Sequence, residues 1–163
     1  LLRIAQIEAG TRRVGFGQVK VSSLLAHLAE SYTAAAEHEG KSISLNIAPK
    51  ITTWGDKALL TEMFSNLLDN ALRHTPRGTN IEVSLAESDS NTVAFVADNG
   101  PGVPAGDCDL IFRRFYRSAR SAKTPGHGLG LSIAAAVADL HGIALKAEDN
   151  EPGLRIRVSF SAA

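Results

Sequence analysis

The chain has 163 residues, the length of one domain. A chain this long can bury a core without a disulfide or metal staple. Lys and Arg number 17 and Asp and Glu number 17, so the net charge is zero, which excludes a strongly basic binder of nucleic acid or anionic membranes. The single cysteine, Cys108, excludes a disulfide framework and a multi-cysteine metal site.

No apolar run approaches the about 18 residues of a membrane span. Residues 1–20 carry neither a signal-like apolar core nor a cleavage pattern. The chain begins on Leu1, and it is expected to be a piece of something longer.

Residues 1–9 read as the last turns of a helix stopped by Gly10, followed by a short extended link over 15–20. Ser22 or Ser23 caps a helix to about His38, with Leu24, Leu25, Leu28, Tyr32 and Ala35 at helical spacing and Gly40 as its stop. Ile43, Leu45 and Ile47 alternate with polar residues as in a half-buried strand, and Ile51 to Trp54 is a short second one. Gly55-Asp56 then caps a long helix over about 57–74.

Strands follow at 81–85 and 93–97, then about thirty irregular residues to 127, a length that points to function rather than plain connection. Gly128 or Gly130 opens a helix with Leu129, Ile133, Val137 and Leu140 on one face and Gly142 as its stop. Two strands close the chain, about 143–148 and 154–160. The strands pair mostly as hairpins, 81–85 with 93–97 and 143–148 with 154–160. The expected class is α+β: a mixed, mainly antiparallel five-stranded sheet with three helices on one face.

Four segments carry candidate chemistry. The long helix divides into an apolar side (Leu60, Phe64, Leu67, Leu68, Ala71) and a polar side (Glu62, Asn66, Asp69, Asn70, Arg73). Asn disfavours helix interiors, so two of them one turn apart are either a solvated face or a Mg²⁺- and phosphate-binding one, since an amide oxygen suits Mg²⁺ and Arg suits phosphate. Asp98-Asn99-Gly100-Pro101-Gly102 follows a strand directly. It is either a plain turn or a carboxylate that accepts from an exocyclic amine, beside glycines that let a flat ring approach.

Gly126-His127-Gly128-Leu129-Gly130 opens a helix, as a hinge or as an anion site. It lacks the Lys-Ser/Thr of a Walker loop. Between these lies Phe112 to Lys123, whose positions 113–123 hold Arg113, Arg114, Arg117, Arg120 and Lys123 and no acid. That segment is a solvated loop or one that closes over polyphosphate.

In this order the four segments resemble the ATP-binding catalytic domain of two-component sensor histidine kinases, within the superfamily of gyrase, Hsp-type chaperones and mismatch-repair ATPases. Asn66 to Thr75 is similar to the N box, Asp98 to Gly102 to the first glycine box, Phe112 to Tyr116 to the F box, and Gly126 to Gly130 to the second glycine box. The resemblance implies a two-layer α/β sandwich of Bergerat type over residues 14–163, preceded in 1–13 by the end of a dimerisation-domain helix and its linker.

It also implies ATP and Mg²⁺ as ligands. Asp98 would accept the adenine amino group with Gly100 and Gly102 beside it, Asn70 would bind Mg²⁺, and Asn66 would sit by the metal-phosphate group. Arg73, where the family more often has Lys, would contact phosphate, and His74 would lie near the nucleotide. Arg114 and Phe115 match the F-box core, while Arg113 stands where an acid is usual. Gly126, His127, Gly128, Leu129 and Gly130 would meet the phosphates.

ATPase relatives carry a Glu where this chain has Asn66, and an amide cannot take a proton from water. Transfer of the γ-phosphoryl group to a histidine on a separate dimerisation domain is therefore expected, rather than hydrolysis. Glu62 is one turn too distant to substitute. None of His27, His38, His74, His127 and His141 has the context of a phosphoacceptor, and His27, His38 and His141 read as helix-face residues.

The family further implies a downstream response regulator, no nucleic-acid partner, and a homodimeric parent in the bacterial inner membrane. This piece would be its monomeric cytoplasmic part. A catalytically idle nucleotide sensor and an ATPase of the gyrase or chaperone kind are the alternatives.

Overall fold

A computed structural model describes residues 15–113 and 130–161. The helix expected over 1–9 lies outside the described residues, as do Arg114, Phe115, Gly126, His127, Gly128 and Leu129. The elements in order are β1 (Gly17–Lys20), α1 (Val21–His38), β2 (Ser42–Ile47), β3 (Thr52–Gly55), α2 (Lys57–Arg73), β4 (Asn80–Ser88) and β5 (Asn91–Asp98). A 3₁₀ turn (Ala105–Asp107) follows, then α3 (Gly130–His141), β6 (Ala144–Asp149) and β7 (Leu154–Phe160). Among the described residues, no helix is long and apolar enough to cross a membrane.

Local chemistry explains where the helices stop and start. Gly40 takes φ +70° at the end of α1, and the N–H of Lys41 returns to the Ala36 carbonyl at 2.8 Å, a left-handed close that suits glycine. Asp56 caps α2 by accepting the Leu59 N–H at 3.0 Å, a contact of the kind that contributes about 1 kcal/mol. Gly142, at φ +68°, stops α3.

The main sheet has the order β2-β4-β5-β7-β6. Both expected hairpins form, β4 with β5 and β6 with β7, and β5 joins β7 antiparallel. The mixed character comes from β2, which runs parallel to β4 with Ser42 opposite Asn80 and Ile47 opposite Leu85. A parallel pair needs a crossover, and β3 with α2 supplies it.

Alternation along the strands sends Ile81, Val83, Leu85, Val96, Ile156, Val158 and Phe160 into the core. There they meet Leu59, Leu60, Met63, Phe64, Leu67 and Leu68 of α2. The Phe64 and Phe160 rings, with centroids 6.3 Å apart, tie α2 to β7.

Among the described residues, no helix covers the other sheet face. There Phe95 lies under the guanidinium groups of Arg155 and Arg157, each 5.0 Å from the ring centroid, and Glu148 pairs with both arginines at 3.3 and 3.2 Å. A groove of about 770 Å³ runs along this face past Glu82, Ser84 and Phe95.

Three expectations are corrected. The link over 15–20 holds a strand, β1, paired antiparallel with β3 in a separate two-stranded sheet. Neither serine caps α1, which starts at Val21 with no side-chain cap on Lys20. Buried Ser22 instead donates to the Ala48 carbonyl at 2.6 Å and accepts the Ile51 N–H at 2.8 Å, fastening the helix start to the β2–β3 turn. The buried side of α3 is largely alanine: Ala134, Ala136 and Ala138 join Val137 and Leu140, while Ile133 is half-buried. Small side chains let α3 lie close against α2.

His27 and His38 are exposed helix-face residues. His141 is not of that kind. Its Nε2 accepts the Asp56 N–H at 3.0 Å, its Nδ1 is 2.8 Å from the Val137 carbonyl, and its ring stacks on Phe16 at 4.6 Å. With Nε2 accepting, the ring proton sits on Nδ1 and donates to Val137.

Candidate functional site

Asp98 is the last residue of β5 and is 7% exposed. Its Oδ1 accepts two backbone N–H groups, from Gly100 at 2.9 Å and Leu154 at 3.3 Å. Among the described residues, no hydrogen bond reaches its other oxygen. Burial pushes the carboxyl above the usual carboxylate range, against the opposing pull of the Gly100 and Leu154 N–H groups. A buried carboxylate with one oxygen tied and the other unclaimed is a preorganised acceptor for a donor brought from outside.

The turn between β6 and β7 is built onto this residue. Asn150 Nδ2 donates to the Asp98 carbonyl at 2.8 Å, and the Asn150 N–H donates to the Gly153 carbonyl at 3.0 Å. Gly153 has φ +109°, and a Cβ there would overlap the Asp98 carbonyl. Gly102, at φ +72°, sits against the same turn, since a Cβ on it would come 2.8 Å from the Gly153 carbonyl oxygen. Its role is close packing behind Asp98.

The corner meets the end of α2. A Cβ on Gly100 would lie 2.9 Å from Thr75 Cγ2 and 3.2 Å from Asp98 Oδ1, so Thr75 and Asp98 flank the same glycine. Thr75 Oγ1 donates back to the Ala71 carbonyl at 2.6 Å. Asn70 and Arg73 therefore lie within the helical turn that ends against the Asp98 box, with Asn66 one turn earlier.

The sorting of α2 matches its sequence pattern. Leu60, Phe64, Leu67, Leu68 and Ala71 are buried, Glu62, Asn66 and Asn70 are half-buried, and Asp69 and Arg73 are exposed. The Asn66 Nδ2 is buried without a hydrogen-bond partner. Among the described residues, Asn70, half-buried, and Arg73, exposed, make no side-chain hydrogen bond, and both stay open to solvent. A buried orphan such as the Asn66 Nδ2 is uncommon, and a bound ligand is one explanation.

The remaining expected site residues are placed as follows. His74 caps the C-terminus of α2 and is exposed. Gly130 is the first residue of α3 and is exposed, with nothing within 4 Å of a Cβ placed on it, and no described contact joins it to the Asp98 corner. At the start of the F-box segment Ile111 is buried, Phe112 half-buried and Arg113 exposed.

Sequence reasoning gave no role to Thr75, Asn150, Gly153 or Leu154. Thr75 only ended the N-box run, and residues 149–153 lay unremarked between the two closing strands. Asn150, Gly153 and Leu154 reach Asp98 through the pairing of β5 with β7, and Thr75 reaches the corner from the end of α2. Among the described residues, no three His, Cys, Asp or Glu cluster as metal ligands. A cation here would need amide oxygens and the oxygens of its own ligand, a pattern that suits Mg²⁺.

Comparison with known proteins identifies the family. The profile of the family described as "Histidine kinase-, DNA gyrase B-, and HSP90-like ATPase" matches residues 55–163. The signal transduction histidine-protein kinase/phosphatase MprB of Mycobacterium tuberculosis is 45% identical over 101 residues, which are 61% of this chain and 20% of that protein. The chain thus spans about a fifth of the length of the curated relatives it matches.

The structure of a mycobacterial sensor histidine kinase MprB superposes with a TM-score of 0.77 at 27% identity, over 88% of this chain and 95% of that one. The ATP binding domain of PrrB from Mycobacterium tuberculosis gives 0.72 at 26%, over 91% and 98%. On fold, box order and likeness together, the chain belongs to the histidine kinase-, DNA gyrase B- and HSP90-like ATPase family, as the ATP-binding catalytic domain of a sensor histidine kinase.

Proposed function

We propose that this domain binds Mg²⁺-ATP between the polar side of α2 and the Asp98 corner. It then presents the γ-phosphoryl group to a histidine on a separate phosphoacceptor domain of the same parent. The reading rests on one observation: a buried carboxylate with an unclaimed oxygen packs, through Gly100 and Thr75, on the end of a helix that also carries a buried, unpartnered amide nitrogen on Asn66. The unclaimed Asp98 oxygen accepts the adenine amino group, and a guanine carbonyl at that place would be repelled.

Asn70, seconded by Asn66, would hold Mg²⁺, which neutralises charge on the phosphates when bound. The donor set fits a hard cation, because either amide can present its oxygen once a ligand fills the site. Arg73, exposed and without a partner among the described residues, reaches toward phosphate. Catalysis is then mostly positioning and charge stabilisation. Asn66 cannot act as a base on water, so the acceptor must come from outside the domain. In the parent this makes a dimeric, membrane-anchored kinase with its catalytic part in the cytoplasm, passing the phosphoryl group on to a response regulator.

The test adds a histidine-bearing dimerisation domain in trans with Mg²⁺ and γ-labelled ATP. Acid-labile phosphohistidine is the expected product, with negligible phosphate release from the domain alone. Asn70→Ala should lower Mg²⁺-dependent ATP affinity at least about tenfold, as loss of a charged contact does, while metal-free ATP binds as before. Rapid steady-state phosphate release would favour an ATPase, and tight ATP binding with no transfer would favour an idle nucleotide sensor.

A further inference from the structure

The end of α2 is held by a cation outside the residues proposed to meet the nucleotide. Lys41, between α1 and β2, keeps only 7% of its side chain exposed. Its Nζ donates to the carbonyl of Leu72 in the last turn of α2, with Glu39 at 3.7 Å on its other side. A cation at a helix C-terminus meets the negative end of the helix dipole and satisfies a carbonyl that has no partner within the helix.

Lys41 is the centre of a wider clasp. The Gly78 N–H donates to the Gly40 carbonyl at 2.8 Å, and the Ser42 N–H donates to the Thr79 carbonyl at 3.1 Å. The Arg77 guanidinium lies over Gly40, where a Cβ would come 2.9 Å from its Cζ. Residues 40–42 thus grip 72–79.

That gripped segment is what the Asp98 box leans on. Thr75 packs on Gly100. The Asn80 N–H donates to Asn99 Oδ1 at 2.8 Å, and the Asn99 N–H returns to the Asn80 carbonyl at 3.3 Å. Lys41 is therefore connected, through the backbone of the last turn of α2 from Leu72 to Thr75, to the glycine beside Asp98.

We infer that Lys41 is a positioning residue for nucleotide binding, fixing the last turn of α2 so that Asn70, Arg73 and Thr75 meet the Asp98 corner in register. The inference rests on the nucleotide site proposed above. Its charge matters as well as its hydrogen bond, because the carbonyl end of a helix is what it faces.

The experiment measures Mg²⁺-ATP affinity by calorimetry for the native chain, Lys41→Met, Lys41→Gln and Lys41→Arg, with amide hydrogen exchange over residues 72–76. Lys41→Met should bind about tenfold more weakly, the scale of a lost charge-assisted hydrogen bond, and exchange faster at 72–76. Lys41→Arg should recover most of the affinity, and Lys41→Gln, a neutral donor, should fall between.

A folded Lys41→Met that melts lower yet binds with native affinity would overturn the inference. If Lys41→Met does not fold, native affinity in Lys41→Gln overturns it and a graded loss supports it. If even the native chain binds no ATP, the nucleotide reading fails instead. Unchanged exchange at 72–76 in Lys41→Met would then remove the clasp on its own account.

Discussion

Asp98→Asn is expected to weaken ATP binding by about 10- to 150-fold, the equivalent of 1.5–3 kcal/mol for a hydrogen bond to a charged group. The amide keeps an oxygen for the N–H groups of Gly100 and Leu154, so the corner retains its shape. The second position becomes an NH₂ donor, and it faces the adenine amine donor to donor.

Stability should move the other way. Burial raises the Asp98 pKa above its unfolded value of 3.8, so the folded chain holds a proton more tightly than the unfolded one. That contribution is fully present below the unfolded pKa and is lost as pH rises through the folded one. At neutral pH the ionised carboxylate is a net cost to the fold, and Asp98→Asn should melt no lower than the native chain.

The same shift sets the pH dependence. ATP affinity should fall as pH is lowered through the raised Asp98 pKa, above where an ordinary Asp would act, and the Asn variant should be flat across that window. Calorimetry at several pH values, with thermal melts alongside, measures all three. Native ATP affinity in Asp98→Asn would remove the adenine role from this residue.

The second large effect is expected at a position that touches no ligand. Gly153→Ala should destabilise the domain by at least about 2 kcal/mol, because the new Cβ is both forced into a left-handed backbone and driven onto the Asp98 carbonyl. In a domain of this size that lowers the melting temperature by about 4 °C or more. ATP affinity of the fraction still folded should fall with it, since Asn150 and Leu154, which flank the glycine, both hold Asp98. A melt within one degree of native would mean that the β6–β7 turn tolerates the side chain by moving, and that Asp98 does not depend on it.

Much of this was legible before any coordinates. Period-two alternation in 81–85 and 154–160 located strands whose inward residues are the core, because helices cover that face of the sheet. The two sides of α2 followed from helical period alone, and Asp56 announced its start. The boxes were recognisable because Asn in mid-helix and Gly beside a strand-end Asp are costly unless something uses them.

What stayed hidden depends on partners distant in sequence. β1 is four residues with no alternation of its own, and it is a strand only because β3 lies beside it. Ser22 looked like a cap, and tertiary contacts with Ala48 and Ile51 claimed its hydroxyl instead. The parallel β2–β4 pairing leaves no local mark, and Gly153 reads as one turn glycine among several. Thr75 and Lys41 acquire their roles only when the end of α2 is placed between β2 and the Asp98 corner. The alanine-rich side of α3 illustrates the same limit. Helical period pointed to the larger Ile133, but close approach to α2 selected the small residues.

The central claim is spatial: one adenine nucleotide, with Mg²⁺, bridges α2 and the end of β5. Backbone amide shift mapping of the native chain titrated with a Mg²⁺-bound, non-hydrolysable ATP analogue tests it most directly. The largest shifts are expected at 66–75 and 98–102, with the open sheet face (Ser44, Glu82, Arg157) unmoved. Shifts confined to that open face and its groove, with α2 and the Asp98 box silent, would contradict it.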